Sequence, residues 1–256
     1  MGKIKILAVS SLPAHRNAGL KAQLSVLKND ILPVPTVILS GVTSFSKVYK
    51  QTIDLQPLLE ATMELCLEQN QSIVLYVGYL EKVENVNIVL DFIQKFNDML
   101  IGIYVDPISG DNDKTYINHQ IIELWPKLLI KANFAFPNLT ELKLYSGLSI
   151  EETTVANHLV AFGKRFPNLN FIVTSYFDND DSGIFLRYKS TNQLIRHKYY
   201  NQKIDGTGDL FVSFFMKYYL FEQDNAEDSC KKAIGSILDI IETELEERHC
   251  QPEVFV

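Results

Sequence analysis

Residues 204–215 read IDGTGDLFVSFF, a two-glycine turn and a carboxylate placed directly before a run of apolar side chains. The run continues to residue 221 and is apolar almost all round a helical projection, which predicts a helix over 210–221 buried in the middle of a domain. A helix of that kind must be covered by other elements, and the rest of the chain supplies them. Residues 4–9, 34–39, 73–77, 101–105, 134–136 and 169–174 are short, nearly continuous apolar runs. Continuous rather than alternating runs are the pattern of parallel strands covered on both faces.

Helical spacing fills the intervals. It is read at residues 55–67, at 86–96 and on to Met99, and at 149–165, where Ser149 and Glu152 form a capping-box pattern. A final amphipathic helix spans 226–247. Residues 184–188 and 193–198 differ: they are short and mixed, and read as an antiparallel hairpin at a sheet edge. Strand and helix alternate, so the expected fold class is α/β. It is a three-layer sandwich with a mainly parallel central sheet between helices and an antiparallel hairpin at the edge. No Pro- or Gly-rich linker or repeat divides the chain, so one domain over 1–256 is expected, with residues 178–182 (DNDDS) a solvated loop tip.

Composition narrows the partners. The formal charge of the 256-residue chain is −7, and no basic stripe is visible, so a nucleic-acid partner is not expected. No apolar run reaches membrane-spanning length. Three cysteines at wide spacing, without a Cys-x-x-Cys, argue for reduced thiols rather than a disulfide framework or a zinc site. The N-terminal stretch lacks the pattern of a signal peptide, and a cytoplasmic location is expected. An acidic chain that binds an anion must do so locally, through metal, backbone amides or a few placed cations.

In open parallel sheets, ligands sit beyond the carboxyl ends of the strands, so the residues after each run are the informative ones. They are Ser10 and Ser11; Ser40, Gly41, Val42 and Thr43; Gly78 and Tyr79; Asp106 and Pro107; Asn138, Thr140 and Glu141; Thr174 and Ser175; and Gly206, Thr207, Gly208 and Asp209. Two glycines before a helix let amides converge on an anion, with the helix dipole adding to the potential. Taken alone, the turn has a plain reading as a glycine bend with an N-capping residue. Asp106 and Asp111 likewise read either as turn formers or as a magnesium-facing pair. Asn138 and Glu141 read either as a helix cap or as two groups facing one anion and metal site. Their joint occurrence, each after an expected strand, favours the functional readings.

The combination resembles the pyridoxal kinase family of the ribokinase-like superfamily over nearly the whole chain. The residues that carry it are Asp106-Pro107 with Gly110-Asp111, Pro137-Asn138 with Thr140-Glu141, Ser146-Gly147, Thr174-Ser175 and Gly206-Thr-Gly-Asp-Leu-Phe211. Upstream, Ser40-Gly-Val-Thr43 and Gly78-Tyr79 fall in the family's order, and Ser11 follows the first strand as in the family. The resemblance implies transfer of the ATP γ-phosphate to the 5′-hydroxymethyl of a vitamin B6 vitamer. It implies Asp209 as the base, with amides of Gly206, Thr207 and Gly208 on the transferring phosphoryl oxygens. It also implies Asp106 and Glu141 around Mg2+, and Asn138, Thr174 and Ser175 along the nucleotide phosphates. Ser11, Thr43 and Tyr79 would hold the pyridine ring. A homodimer is implied as well, and a requirement for a monovalent cation stays open.

Two departures from the family pattern matter. Gly41 and Val42 stand where the family commonly has Asn and His, which points either to a more apolar acceptor pocket or to a different vitamer. Ala18-Gly-Leu-Lys-Ala-Gln23 is similar to a segment of hydroxymethylpyrimidine kinases of thiamin synthesis, the second reading. Those kinases usually have Cys where this chain has Asp209. A third reading, of a different class, is a vitamer-binding protein without turnover.

Overall fold

The computed structural model describes residues 2–42, 45–149, 153–178, 181–198 and 205–249. Nine strands form one sheet: β1 (Ile4–Pro13), β2 (Ile31–Leu39), β3 (Lys50–Thr52), β4 (Ser72–Val77), β5 (Leu100–Val105), β8 (Phe134–Ala135), β9 (Asn170–Asp178), β10 (Asp181–Tyr188) and β11 (Thr191–Arg196). The two remaining strands, β6 (Gly110–Asp111) and β7 (Lys114–Thr115), make a separate small hairpin. The helices are α1 (Gly19–Leu27), α2 (Leu55–Glu68), α3 (Val83–Phe96), α4 (His119–Leu129), α5 (Leu139–Ser146), α6 (Val155–Arg165), α7 (Thr207–Met216) and α8 (Ala226–His249).

The strand order is β11-β10-β9-β8-β5-β4-β1-β2-β3. The strands from β9 through β2 run parallel, while β10 and β11 close one edge as an antiparallel hairpin. This is the expected architecture. Within this sheet one strand was not expected: β3 pairs antiparallel with β2 and caps the opposite edge. Its three residues, Lys-Gln-Thr, are all exposed and carry no apolar signature. The hairpin turn is tighter than expected, because only Lys189 and Ser190 lie outside the strands. Both have positive φ (47° and 65°), as a two-residue turn matched to strand twist requires.

Alternating side chains divide the core into two layers. Leu7, Val9, Ile73, Leu75, Val77, Ile103 and Val105 face the cluster that includes residues of α2 to α6. Ile6, Ala8, Val74, Tyr76 and Tyr104 face the other layer, with residues of α1, α7 and α8. By the same parity Asp106, two residues after Tyr104, lies on the α7 side.

Helix α3 begins at Val83, three residues before the expected start, and the boundaries of α7 and α6 also differ from expectation. The buried helix begins at Thr207, not at residue 210, so Asp209 sits inside its first turn. It ends at Met216 and loosens into a π-turn over Lys217–Phe221, whose side chains are half-buried rather than buried. The helix expected from residue 149 begins at Val155. There the Thr154 hydroxyl accepts from Asn157 N–H at 3.3 Å, so Thr154 is the cap. The capping-box pattern at 149–152 and the loop tip at 178–182 lie partly outside the described residues, and Thr43 lies wholly outside them.

Candidate active site

The chain passes from β1 to β2 on one side of β1 and then returns to β4 on the other. The crevice of such a reversal opens beyond the carboxyl ends of β1 and β4. A cavity of about 720 Å3 lies there. Its lining includes Ser11, Tyr79, Asp106, Asn138, Glu141, Thr174, Ser175, Gly206, Thr207, Gly208 and Asp209. Every residue to which the family likeness gave a role, Thr43 aside, is therefore among those lining one cavity.

Asp209 is the best defined of them. Gly206 caps α7 in the left-handed conformation (φ +84°), and a Cβ there would lie 1.9 Å from Asn17 O. Only glycine makes that approach of backbone to backbone. The carboxylate that follows is held on one side: Gly19 N–H, at the start of α1, donates to Asp209 Oδ2 at 2.8 Å. Asp209 Oδ1 is buried and has no partner. Burial pushes the carboxyl up to about 6, against the opposing pull of Gly19 N–H. Asp209 lines the cavity, and a carboxylate with an unpartnered oxygen and a pKa near neutrality can take a proton from a bound group.

Across the cavity are Asp106 and Glu141. Asp106 is 8% exposed and accepts from Tyr76 Oη at 3.3 Å. Burial raises its carboxyl well above the ordinary range, and the charges of Glu141 and Asp209 raise it further. Asn138 and Glu141 form a reciprocal capping box on α5: Glu141 N–H donates to Asn138 Oδ1 at 3.0 Å, and Asn138 N–H donates to Glu141 Oε2 at 2.9 Å. Ser109 N–H donates to Glu141 Oε1 at 2.8 Å, and Asn138 Nδ2 donates to Gly110 O at 2.7 Å. The plain reading of this pair is thus correct, and it coexists with placement at the cavity. Even with those amides, burial pushes Glu141 up to about 8. Two buried carboxylates raised this way are a hard-oxygen donor set short of positive charge. Such a pair would suit a magnesium ion brought in with a phosphate ligand. Among the described residues, no group of three His, Cys, Asp or Glu side chains is placed to hold a metal by itself.

Tyr79 is anchored at three points. Its N–H donates to Ser10 Oγ at 3.1 Å, its carbonyl accepts from Thr36 Oγ1 at 2.8 Å, and its hydroxyl donates to Glu81 Oε2 at 2.5 Å. Burial and Glu81 hold the phenol well above its usual pKa, so the hydroxyl remains protonated. Gly78 gives the strand end room, since a Cβ there would meet Ser10 Oγ at 2.7 Å. Val42 reaches the cavity, and Gly41 is not among its lining residues. His15 is exposed and packs edge-on against Phe45, with centroids 5.3 Å apart.

Sequence reasoning missed the β6–β7 hairpin and the residues it contributes. Asn112, Lys114 and Tyr116 line the cavity, and Lys114 is the sole Lys or Arg among its described lining residues. The hairpin turns at Asn112 and Asp113, both at positive φ, and is pinned to α5. Asp113 N–H donates to Thr140 Oγ1 at 3.0 Å, and Lys143 Nζ donates to Asp113 Oδ1 at 2.8 Å. Two-residue strands leave no periodicity to read, so nothing in the sequence flagged Lys114.

A mainly parallel sheet with its cavity at the reversal point, lined by a glycine turn and a carboxylate at the mouth of a buried helix, is the α/β fold of solved pyridoxal kinase structures. No family model matches the chain. The pyridoxal kinase of Dictyostelium discoideum is 27% identical over 259 residues, which span 93% of this chain and 85% of that protein. The crystal structure of pyridoxal kinase from Entamoeba histolytica is similar at a TM-score of 0.83 and 20% identity, over 95% of this chain and 90% of that one. Pyridoxal kinase from Leishmania donovani, solved with ADP and pyridoxamine, gives 0.77 at 19% identity, over 95% and 88%. A Bacteroides thetaiotaomicron protein assigned as a phosphomethylpyrimidine kinase gives 0.80 at 23% identity, over 96% and 88%. A second crystal form of that protein contains pyridoxal. Over 93% of its length the chain is similar to curated pyridoxal kinases, and its fold is that of solved pyridoxal kinases.

Proposed function

We propose that this protein uses ATP to phosphorylate the 5′-hydroxymethyl group of a vitamin B6 vitamer: pyridoxal, pyridoxine or pyridoxamine. The observation that carries the reading is the buried, unpartnered Asp209 Oδ1 at the cavity, one residue from the glycine turn. The vitamer hydroxyl gives its proton to Asp209 as its oxygen bonds to the γ-phosphorus. The bond from that phosphorus to the β–γ bridging oxygen breaks, and ADP leaves with the electron pair. Phosphoryl transfer has a loose transition state, so alignment and charge stabilisation supply most of the rate. The amides of Gly206, Thr207 and Gly208 open α7 and suit the transferring oxygens. Asn138, Thr174 and Ser175 suit the nucleotide phosphates, and Lys114 adds a cation that the other described lining residues do not supply.

Magnesium accompanies ATP in this reading. Asp106 would hold it with Glu141 acting through water, because both Glu141 oxygens already accept backbone N–H groups. Its contribution is to neutralise phosphate charge facing several carboxylates. Ser11, Val42 and the Tyr79 ring suit the acceptor ring. A homodimer and a cytoplasmic location belong to the same proposal. The first rests on the family likeness, and the second is compatible with the buried free thiols of Cys66 and Cys230.

The test is ADP release from purified protein with Mg-ATP, run in parallel with pyridoxal and with hydroxymethylpyrimidine. Faster turnover with pyridoxal is expected. Faster turnover with the pyrimidine would install the second reading, which the Bacteroides likeness supports. Vitamer binding without ADP formation would make the chain a binding protein.

A further inference from the structure

The Tyr79 hydroxyl does not point its donor at the cavity; it is committed to Glu81 Oε2 at 2.5 Å. Glu81 is not among the residues lining the cavity. Its carboxylate also accepts from Lys50 Nζ, at 3.2 Å from Oε1 and 3.4 Å from Oε2. The Glu81 side chain is 14% exposed in this pair, against 43% for Lys50. Glu81 also adopts φ +55°, a left-handed conformation that disfavours any residue with a Cβ. Strain of this kind persists where the surroundings over-determine it, and it concentrates at functional positions. Lys50 opens β3, and its neighbour Tyr49 pairs with Ser40. Ser40 N–H donates to Tyr49 O at 3.0 Å, and Tyr49 N–H donates to Ser40 Oγ at 2.9 Å. One relay, Lys50 to Glu81 to Tyr79, therefore joins the start of β3 to a residue of the cavity wall.

We propose that Glu81 is a positioning residue for the acceptor: it fixes the Tyr79 ring as a preset wall for the flat heteroaromatic substrate, with Lys50 holding Glu81 in place. The proposal rests on the kinase reading for the identity of that substrate. With the hydroxyl tied back, Tyr79 presents its ring rather than a hydrogen-bonding edge, which suits stacking on an aromatic face. Without Glu81 the ring must be immobilised by the ligand itself, and that cost falls on acceptor affinity. The nucleotide side of the cavity, built on Asn138, Thr174 and the 206–208 turn, shares none of these contacts.

The experiment compares wild type, Glu81→Gly, Glu81→Gln, Tyr79→Phe and the Tyr79→Phe/Glu81→Gly double variant. Steady-state kinetics with pyridoxal and Mg-ATP are run beside calorimetric titration of pyridoxal and thermal melting. Glu81→Gly is expected to raise the pyridoxal KM and Kd about 3- to 10-fold, the size set by freeing one side chain. The ATP KM and kcat should stay within about 2-fold, and Tm should not fall, because glycine relieves the positive φ. Glu81→Gln, which still offers an acceptor oxygen, should recover most of the affinity. Tyr79→Phe should match Glu81→Gly, and the double variant should lose nothing further, as expected for two residues acting through one bond. Unchanged pyridoxal affinity in Glu81→Gly, or additive losses in the double variant, would overturn the proposal. If Glu81→Gly does not fold, Tyr79→Phe and Glu81→Gln decide it by the same affinity readings. Absence of wild-type turnover with normal pyridoxal binding would sink the kinase reading alone, because the titration still tests the relay.

Discussion

Gly19 N–H donates to Asp209 Oδ2 at 2.8 Å across 190 positions of sequence, joining the first residue of α1 to the first turn of α7. Two helix N-termini thus converge on one carboxylate, and their dipoles favour its ionised form. One oxygen anchors it, leaving Oδ1 for chemistry. Gly19 cannot readily be replaced: its φ is +54°, and a Cβ would lie 2.4 Å from Ser11 O.

Replacing that carboxylate separates activity from stability. Asp209→Asn keeps the Gly19 bond available but cannot accept a proton, so kcat should fall roughly 10²-fold or more. The same change should stabilise the fold near pH 7. The folded pKa, about 6, lies above the ordinary 3.8. The acid's contribution to stability is therefore fully present below about pH 3.8 and lost as pH rises through about 6. Asparagine removes that loss, a gain on the order of 1–3 kcal/mol above pH 6. Thermal melts of both proteins at pH 4 and pH 7 read it: the Tm gap should open between them in favour of Asn. Near-wild-type turnover would take Asp209 out of the mechanism.

The pH–rate profile follows from the same group. A base must be ionised to act, so kcat/KM for the vitamer should climb with pH through about 6 and then level off. This limb belongs to the free enzyme and should persist in Lys114 variants. A flat profile between pH 5 and 7 would assign the proton to another acceptor.

How much of this was legible beforehand depends on where the signal lies. β1, β4 and β5 announce themselves because strands buried on both faces are continuously apolar, and Asp106, Tyr79 and Asp209 follow such runs or open the buried helix. β3 and the β6–β7 hairpin were silent: two or three exposed residues carry no period, and their strands are defined by partners elsewhere in the chain. The start of α7 was set three residues late because Gly206, Thr207 and Gly208 read as a turn, whereas Gly206 alone supplies the left-handed cap. The Gly19–Asp209 bond and the Glu81 anchor of Tyr79 are tertiary facts, and residue types at those positions do not encode them.

Lys114 gives a prediction for the nucleotide side. As the sole Lys or Arg among the described lining residues, it faces a cavity with Asp106, Asp111, Glu141 and Asp209 in its walls. Lys114→Met should raise the KM for Mg-ATP about 5- to 10-fold, the worth of one charge-assisted contact, with little change in the pyridoxal KM. Lys114→Arg should recover part of it. The wild-type ATP KM should also rise with ionic strength more steeply than that of the Met variant. Equal effects on both substrates would place Lys114 in general architecture instead.

The two glycines of the opening turn should respond oppositely to alanine. At Gly206 the added Cβ would sit 1.9 Å from Asn17 O and 3.0 Å from Ala18 Cα at φ +84°, so the turn must rebuild. Gly206→Ala should cost roughly 2 kcal/mol or more in stability and abolish most turnover, because the amides and Asp209 move together. At Gly208 nothing lies within 4 Å of a Cβ, and the residue sits in the first turn of α7. Gly208→Ala should therefore leave Tm unchanged or raise it, by about 0.5–1 kcal/mol of helix propensity. Yet Gly208 is exposed to the cavity, and the new methyl would stand where the transferring phosphoryl must pass. Turnover should drop about 10-fold or more with the fold intact, a dissociation of Tm from kcat that circular dichroism melts and ADP release measure side by side. Full activity in Gly208→Ala would mean that the phosphoryl group passes clear of this turn.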